Sequence, residues 1–191
     1  MTFATIRRRA RALESREEVI AMTQDPVLVA YGSKRGGTAE MAEWIGDALR
    51  AANLTVEVRP AREVRSLSGF GPVILGGALY SGRWHRHARA FARRFGRQLR
   101  ERPVWLFGSG PLDDSADRLE PGKLFGTGGL RKTATRLAAR DCAVFGGRLE
   151  RDARGFPASA MAKKSAGDYR NPDRIKLWAK DIAAQINHDP R

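Results

Sequence analysis

Ser33-Lys34-Arg35-Gly36-Gly37-Thr38 is the stretch of this chain best suited to chemistry. It separates a short apolar run, Val27 to Tyr31, from a segment whose Met41, Ile45, Ala48 and Ala52 recur at helical spacing. A strand that turns through glycines into a helix leaves unpaired N–H groups and the positive end of the helix dipole beside the turn. The hydroxyls of Ser33 and Thr38 add donors, and Gly36 and Gly37 let the backbone approach closely, so the arrangement suits a phosphate. It is not a P-loop, because the Gly-Lys-Ser/Thr ending is absent, and it is not the G-x-G-x-x-G dinucleotide fingerprint. A plain glycine-rich turn with Thr38 capping the helix is the alternative reading.

Other candidates lie further along. Open α/β sheets hold ligands beyond the carboxyl ends of their strands, which directs attention to Gly77–His85 and Gly108–Ser115. Gly126-Thr-Gly-Gly129 looks like a phosphate loop but follows no strand. Asp113 and Asp114 read as turn residues, and Cys142, inside an apolar run, as an inert core thiol. Arg86, Arg89, Arg93, Arg97 and Arg100 share a helical face opposite Phe91 and Phe95. That face is either solvated or a contact for anionic lipid heads or an acidic partner. Nucleic acid is disfavoured, since no reading motif accompanies the charge. No metal-ligand spacing and no nucleophile elbow are present.

The elements that must position these loops follow from the hydrophobic pattern. Strands are expected at Val27–Tyr31, Leu54–Val58, Pro72–Ala78, Val104–Phe107 and Cys142–Phe145, with Val64–Ser68 a short, poor crossover. Helices are expected after Thr38, over Arg86–Arg100 with Ala88, Phe91, Ala92, Phe95 and Leu99 inward, and over Leu130–Arg140. Leu112–Gly129 reads as a long loop, and Gly146–Asp168 as loop with at most one short helix. Asn171-Pro172 is an N-cap with proline at N1, opening a helix with Ile175, Trp178, Ala179, Ile182 and Ile186 on one face. Strands alternating with helices predict a doubly wound α/β fold, a five-stranded parallel sheet of order 2-1-3-4-5 with helices on both faces.

A chain of 191 residues with an ordinary apolar fraction suits one domain, expected over 25–191. Residues 1–24, with Arg7, Arg8, Arg9 and Arg11, read as a basic extension, helical or disordered, without the apolar core of a signal peptide. A lone cysteine excludes an intramolecular disulfide and fits a reducing cytoplasm. The net charge of +14 attracts anions generally.

The Ser33–Thr38 loop resembles the phosphate loop of the flavodoxins, Ser/Thr-x-Thr-Gly-x-Thr, with Ser33, Arg35, Gly36 and Thr38 in the corresponding places. Arg35 replaces the third-position hydroxyl. The resemblance implies FMN as cofactor, its phosphate held by the Ser33 and Thr38 hydroxyls and by backbone from Lys34 through Arg35, Gly36 and Gly37 to Thr38. It implies further contacts from Ala78, Leu79, Tyr80, Gly82, Trp84, Gly108, Ser109 and Gly110, with Tyr80 and Trp84 as an aromatic wall for the isoalloxazine ring. His85, following that loop directly, is the candidate proton donor.

Gly77, Ala78, Gly82, Trp84 and His85 also resemble the motif of the menaquinone-dependent protoporphyrinogen oxidases, with Arg83 in place of a histidine. Their long extra loop has a counterpart in Leu112–Gly129, whereas Phe156–Lys164 is more polar than the region after strand five in that group. The resemblance implies an FMN oxidoreductase passing electrons from an organic reductant, protoporphyrinogen IX, to a quinone. The expected location is the cytoplasm, with the arginine face either solvated or against the anionic inner side of the membrane. An electron carrier between protein partners and a cofactor-free binding module are the alternatives.

Overall fold

The computed structural model describes residues 25–80, 82–119, 123–153 and 165–188. The expected extension over residues 1–24 and the polar segment Phe156–Lys164 lie outside the described residues.

Three apolar runs make the middle of the sheet because each is buried along its length. They are β1 (Val27–Gly32), β3 (Val73–Tyr80) and β5 (Val104–Ser109). β2 (Val56–Pro60) pairs outside β1, and β6 (Asp141–Phe145) outside β5, all in parallel. The order β2-β1-β3-β5-β6 is the expected doubly wound one, and β4 (Arg83–Trp84) adds an antiparallel return on β3.

The pleat divides the core. Leu28, Ala30, Val73, Leu75 and Leu106 face one side, where they meet Ala88, Phe91 and Ala92 of α2 (Arg86–Arg94), Leu99 of α3 (Gly96–Arg100) and Leu130 of α5 (Gly128–Leu137). Val27, Val29, Ile74, Trp105 and Phe107 face the other side, against Met41 and Ile45 of α1 (Gly37–Arg50) and Ile175, Ile182 and Ile186 of α6 (Pro172–His188). Each fully buried isoleucine or leucine contributes about 1.5–3 kcal/mol by leaving water. Asn171 Oδ1 accepts from the Arg174 N–H at 3.1 Å, the N-cap read from the sequence.

Three local expectations change. The Arg86–Arg100 helix bends at Phe95 (φ −101°, ψ 12°), where Gly96 follows and favours helix poorly. The β2–β3 crossover is short and irregular, as expected: Val64 and Leu67 plug the core, and Arg102 Nη1 pins the loop by donating to the Phe70 and Leu67 carbonyls at 2.6 and 3.1 Å. The long loop holds one helical turn, α4 (Ser115–Arg118). Finally, β7 (Arg148–Leu149) and β8 (Gly167–Asp168) pair antiparallel within the stretch read as loop.

Candidate functional site

The turn between β1 and α1 is shaped by Gly36, which takes φ +82° as the residue preceding α1. A side chain is strained in that left-handed conformation, so glycine is required there. Ser33 Oγ accepts from the Gly36 N–H at 3.1 Å, which closes the turn and leaves the hydroxyl hydrogen to point elsewhere. Thr38 lies inside the first turn and is 2% exposed, so it is not the N-cap that the alternative reading required. No side chain caps α1, and its first-turn amides are therefore available to an anion.

A cavity of about 330 Å³ opens beside this turn, within the range of small-molecule sites. Ser33, Lys34, Arg35, Gly37 and Thr38 supply its polar and cationic wall. Ala78, Leu79, Tyr80 and Gly82 enter from the end of β3, and Ser109 and Gly110 from the end of β5. Arg35 Nη1 reaches the Tyr80 hydroxyl at 3.5 Å, a long contact that brings the turn and the β3 end together. Asp113 also lines the cavity; hydrogen bonding from the Ser115 side chain, and then from the Ser115 N–H at 2.9 Å, holds its pKa below the usual range.

Several predicted residues stand elsewhere. Trp84 is 1% exposed in the core, and its Nε1 donates to the Phe107 carbonyl at 3.2 Å, so it does not wall the cavity. The cause is β4, which pairs Leu79 with Trp84 and Tyr80 with Arg83, putting the two aromatics on opposite faces of the strand pair. His85 is also outside the lining. It caps α2, with Nδ1 accepting from the His87 N–H at 3.3 Å, and packs against Gly32. Burial, then His87 and nearby cations, push its pKa down to about 4, so it is neutral and a poor proton donor at neutral pH. Gly36 and Gly108 do not line the cavity, and a Cβ at Gly108 or Gly110 would strike Leu79, so these glycines make room for that side chain. Cys142 is partly buried, and burial raises its thiol to about 11, consistent with an inert residue.

The structure also brings in residues that the sequence reading missed. Phe125, 95% exposed, Leu124 and Leu112 form an apolar wall. The 124–126 turn sits there because Gly82 and Gly126, both at positive φ, meet backbone to backbone; a Cβ on Gly126 would lie 2.8 Å from Gly82 Cα. This contact, not phosphate binding, accounts for the glycine of Gly126-Thr-Gly-Gly129. Thr127 Oγ1 donates to the Leu124 carbonyl at 2.9 Å and is buried. Arg148 enters from β7. Glu40 Oε2 accepts from Arg148 Nη1 at 2.9 Å and from Arg170 Nη1 at 2.7 Å, tying both arginines to the first turn of α1. An aromatic in a glycine-rich turn was the available signal for Phe125; nothing local marked Arg148.

The basic face divides. Arg86, Arg89 and Arg93 line a second groove with Lys132 and Arg136, whereas Arg97 and Arg100 lie on α3 beyond it. Among the described residues no helix is long and apolar enough to cross a membrane, and no group of three or more His, Cys, Asp or Glu could hold a metal ion.

The sequence profile of the flavodoxin domain matches residues 28–166. This chain belongs to the flavodoxin domain family. Structures of flavodoxins share the fold: one from the domain Archaea (TM-score 0.52, 16% identity, 85% of this chain and 99% of that chain) and a cysteine-to-serine mutant of the flavodoxin from Pseudomonas aeruginosa (TM-score 0.57, 15% identity, 85% and 99%). Rubredoxin oxygen:oxidoreductase from the anaerobe Desulfovibrio gigas is similar over 86% of this chain but only 37% of its own length (TM-score 0.58, 15% identity). No curated protein matches by sequence. Flavodoxin domains bind FMN, and FMN is the cofactor of this one. The cavity fits such a group: an uncapped helix turn with hydroxyls and cations stands beside an apolar, aromatic wall.

Proposed function

We propose that the chain is an FMN-binding electron-transfer protein whose cofactor occupies the cavity at the carboxyl ends of β1, β3 and β5. The observation that carries this reading is the junction, in one cavity, of the uncapped first turn of α1 with the Leu79, Tyr80 and Phe125 wall. Thr38 and the hydroxyl hydrogen of Ser33 donate to the phosphate, with first-turn amides of α1 beside them. Lys34, Arg35 and Arg148 balance its charge, so Arg35 replaces a hydrogen-bonding hydroxyl with a charge-assisted donor. Tyr80 and Phe125 exclude water from the ring, and Asp113, ionised and accepting only, sets the negative limit of the field there. Bound FMN supplies one- and two-electron redox chemistry.

The finer reading is oxidation of an organic reductant such as protoporphyrinogen IX, with two electrons and two protons passing to a quinone as it becomes a quinol. It rests on the Gly77–His85 resemblance. Trp84 and His85 serve that loop from behind, as core and helix cap.

The test is titration of the apoprotein with FMN and with riboflavin, for the native chain and Thr38→Val, which keeps the buried shape and removes the hydroxyl. A hydrogen bond to a charged group is worth about 1.5–3 kcal/mol, so FMN should weaken by roughly ten- to a hundredfold and riboflavin hardly at all. No flavin binding by the native chain would overturn the proposal. Reoxidation of the reduced protein by a menaquinone analogue, together with porphyrinogen turnover, separates the enzyme from a plain carrier.

A further inference from the structure

The second groove, about 690 Å³, is lined by residues of α2 and α5 and shares no lining residue with the cavity. Arg86, Arg89 and Arg93 line it from α2, and Lys132 and Arg136 from α5; no lining residue is acidic. Ala90 and Thr133 complete the lining with His87, and the Thr133 hydroxyl already donates to the Gly129 carbonyl at 2.9 Å. His87 adds no charge at neutral pH, because burial and Arg86 lower its pKa and its Nε2 accepts from Arg86 Nε at 3.2 Å.

Elsewhere on the helices arginines meet carboxylates: Arg50 with Asp47, Arg97 with Glu101, Arg118 with Asp114 and Arg174 with Asp117. Among the described residues, none of the five groove cations makes an ion pair. Like charges three and four residues apart weaken a helix. The arrangement therefore costs the folded chain stability that an anionic occupant would return.

We propose that this groove is the docking site for an acidic α-helix of a partner protein. The lining selects a ridge: between two helices, five cations accompany the small side chains of Ala90 and Thr133, and small residues let helices pack closely. The spacing selects a helix. Arg86, Arg89 and Arg93 fall at i, i+3 and i+7, and Lys132 and Arg136 at i and i+4, the intervals at which a helix presents Asp or Glu along one face. A bilayer fits less well, because the exposed large apolar side chains among the described residues, Leu119, Phe125 and Leu177, are all outside the groove and nothing there can anchor in lipid. A single-stranded nucleic acid fits less well because no Phe, Tyr or Trp lines the groove for base stacking, and the one ring there, His87, is engaged by Arg86 and His85. The position also serves the proposed electron transfer. α2 follows the Gly82 turn and α5 follows Phe125-Gly126, the turns that wall the cavity, so the two helices that form the groove lead directly out of the proposed flavin site; only this last point rests on the FMN reading.

The experiment measures binding of a fluorescein-labelled, alanine-based helical peptide of about 18 residues with Glu at i, i+3 and i+7, at about 50 mM salt. The FMN-loaded native chain should bind it, with affinity falling steeply as salt rises. Arg89→Gln with Lys132→Gln should weaken binding about tenfold or more, whereas Arg97→Gln with Arg100→Gln, removing the same charge outside the groove, should change it by less than about twofold. A proline-interrupted peptide of identical charge should bind about tenfold more weakly. Equal loss from both variant pairs, equal binding of the interrupted peptide, or no binding at low salt would each overturn the proposal. So would tighter, groove-dependent binding of phosphatidylglycerol vesicles or of a DNA oligonucleotide, which would assign the groove to those partners. FMN titration of the same variants should be unchanged; a flavin defect in the native chain would remove the electron-transfer reading and leave the peptide result standing.

Discussion

Replacing Arg170 by methionine tests whether the site depends on a buried tether. The Arg170 side chain is 3% exposed and stacks on Trp44, with the guanidinium carbon 4.7 Å from the ring centre. It donates to Asp168 from Nε and Nη2 at 2.7 and 2.6 Å, and from Nη1 to Glu40 at 2.7 Å and the Gly37 carbonyl at 3.2 Å. Breaking a fully buried pair costs about 3–5 kcal/mol because the stranded charge stays dry. Here the side chains of Asp168 and Glu40 remain 46% and 42% exposed, and Glu40 keeps Arg148, so water and a second cation absorb most of that penalty.

What remains for Arg170→Met is a desolvated cation–π contact, about 2 kcal/mol, and one backbone hydrogen bond, about 1 kcal/mol. The expected loss is about 2–3 kcal/mol, a fall of roughly 4–12 °C in melting temperature for a chain of this size. Arg170→Lys should recover little, because an ammonium can neither fork onto Asp168 nor stack in the same way. Arg170 also holds Asp168 ionised below its usual pKa, so native stability present above that range is lost as pH falls through it. This acid slope should flatten in Arg170→Met. Because Gly37 and Glu40 lie in the first turn of α1, FMN should also bind several-fold more weakly. A melting temperature within about 1 °C of native, or full rescue by lysine, would refute the tether.

Arg35→Gln should weaken FMN by about tenfold or more while riboflavin affinity holds in parallel titrations; equal losses would mean that Arg35 acts only through the shape of the turn. Trp84→Ala should cost about 3–5 kcal/mol in denaturant unfolding with little change in flavin affinity of the folded fraction, whereas Phe125→Ala should weaken flavin binding and leave stability within about 0.5 kcal/mol. His85 has a folded pKa of about 4 against an unfolded value near 6.5, so its contribution is complete above pH 6.5 and declines as pH falls toward 4. His85→Asn, which can still cap α2 without titrating, should remove much of that decline in melts across the interval; His87 keeps the remainder.

The parallel sheet and its order were legible because β1, β3 and β5 are uninterrupted apolar runs, and because the inward faces of α2 and α6 follow the helical period. The turn before α1 was legible for the same local reasons. The cavity's other walls were not, since they depend on pairings that no local pattern encodes. The two-residue β4 decides that Tyr80 faces the site and Trp84 the core, and neither residue type reveals it. The meeting of Gly82 with Gly126 brings Phe125 to the rim across more than forty residues of chain. From the sequence Gly126 belonged to a stretch like a phosphate loop and Gly82 to a cofactor contact implied by resemblance, and only their close approach shows what the two glycines do.

Arg35 and Arg148 make one argument when taken together. A hydroxyl replaced by arginine removes a neutral donor from the turn and adds a full charge, which in isolation would sit beside Lys34 and repel it. On the same turn of α1, Glu40 would oppose any anion brought to the helix end. The fold resolves the second conflict through β7 and the residues that follow β8. Arg148 and Arg170 close on Glu40 and neutralise it, and Arg148 remains on the cavity wall with Lys34, Arg35 and, among the described residues, the one opposing carboxylate of Asp113. The cavity is thus left cationic by its own side chains, where a hydroxyl-lined turn would rely on amides alone. A dianionic phosphate suits that field, and the substitution that departs most from the family's loop becomes intelligible only once the distant arginines are in place.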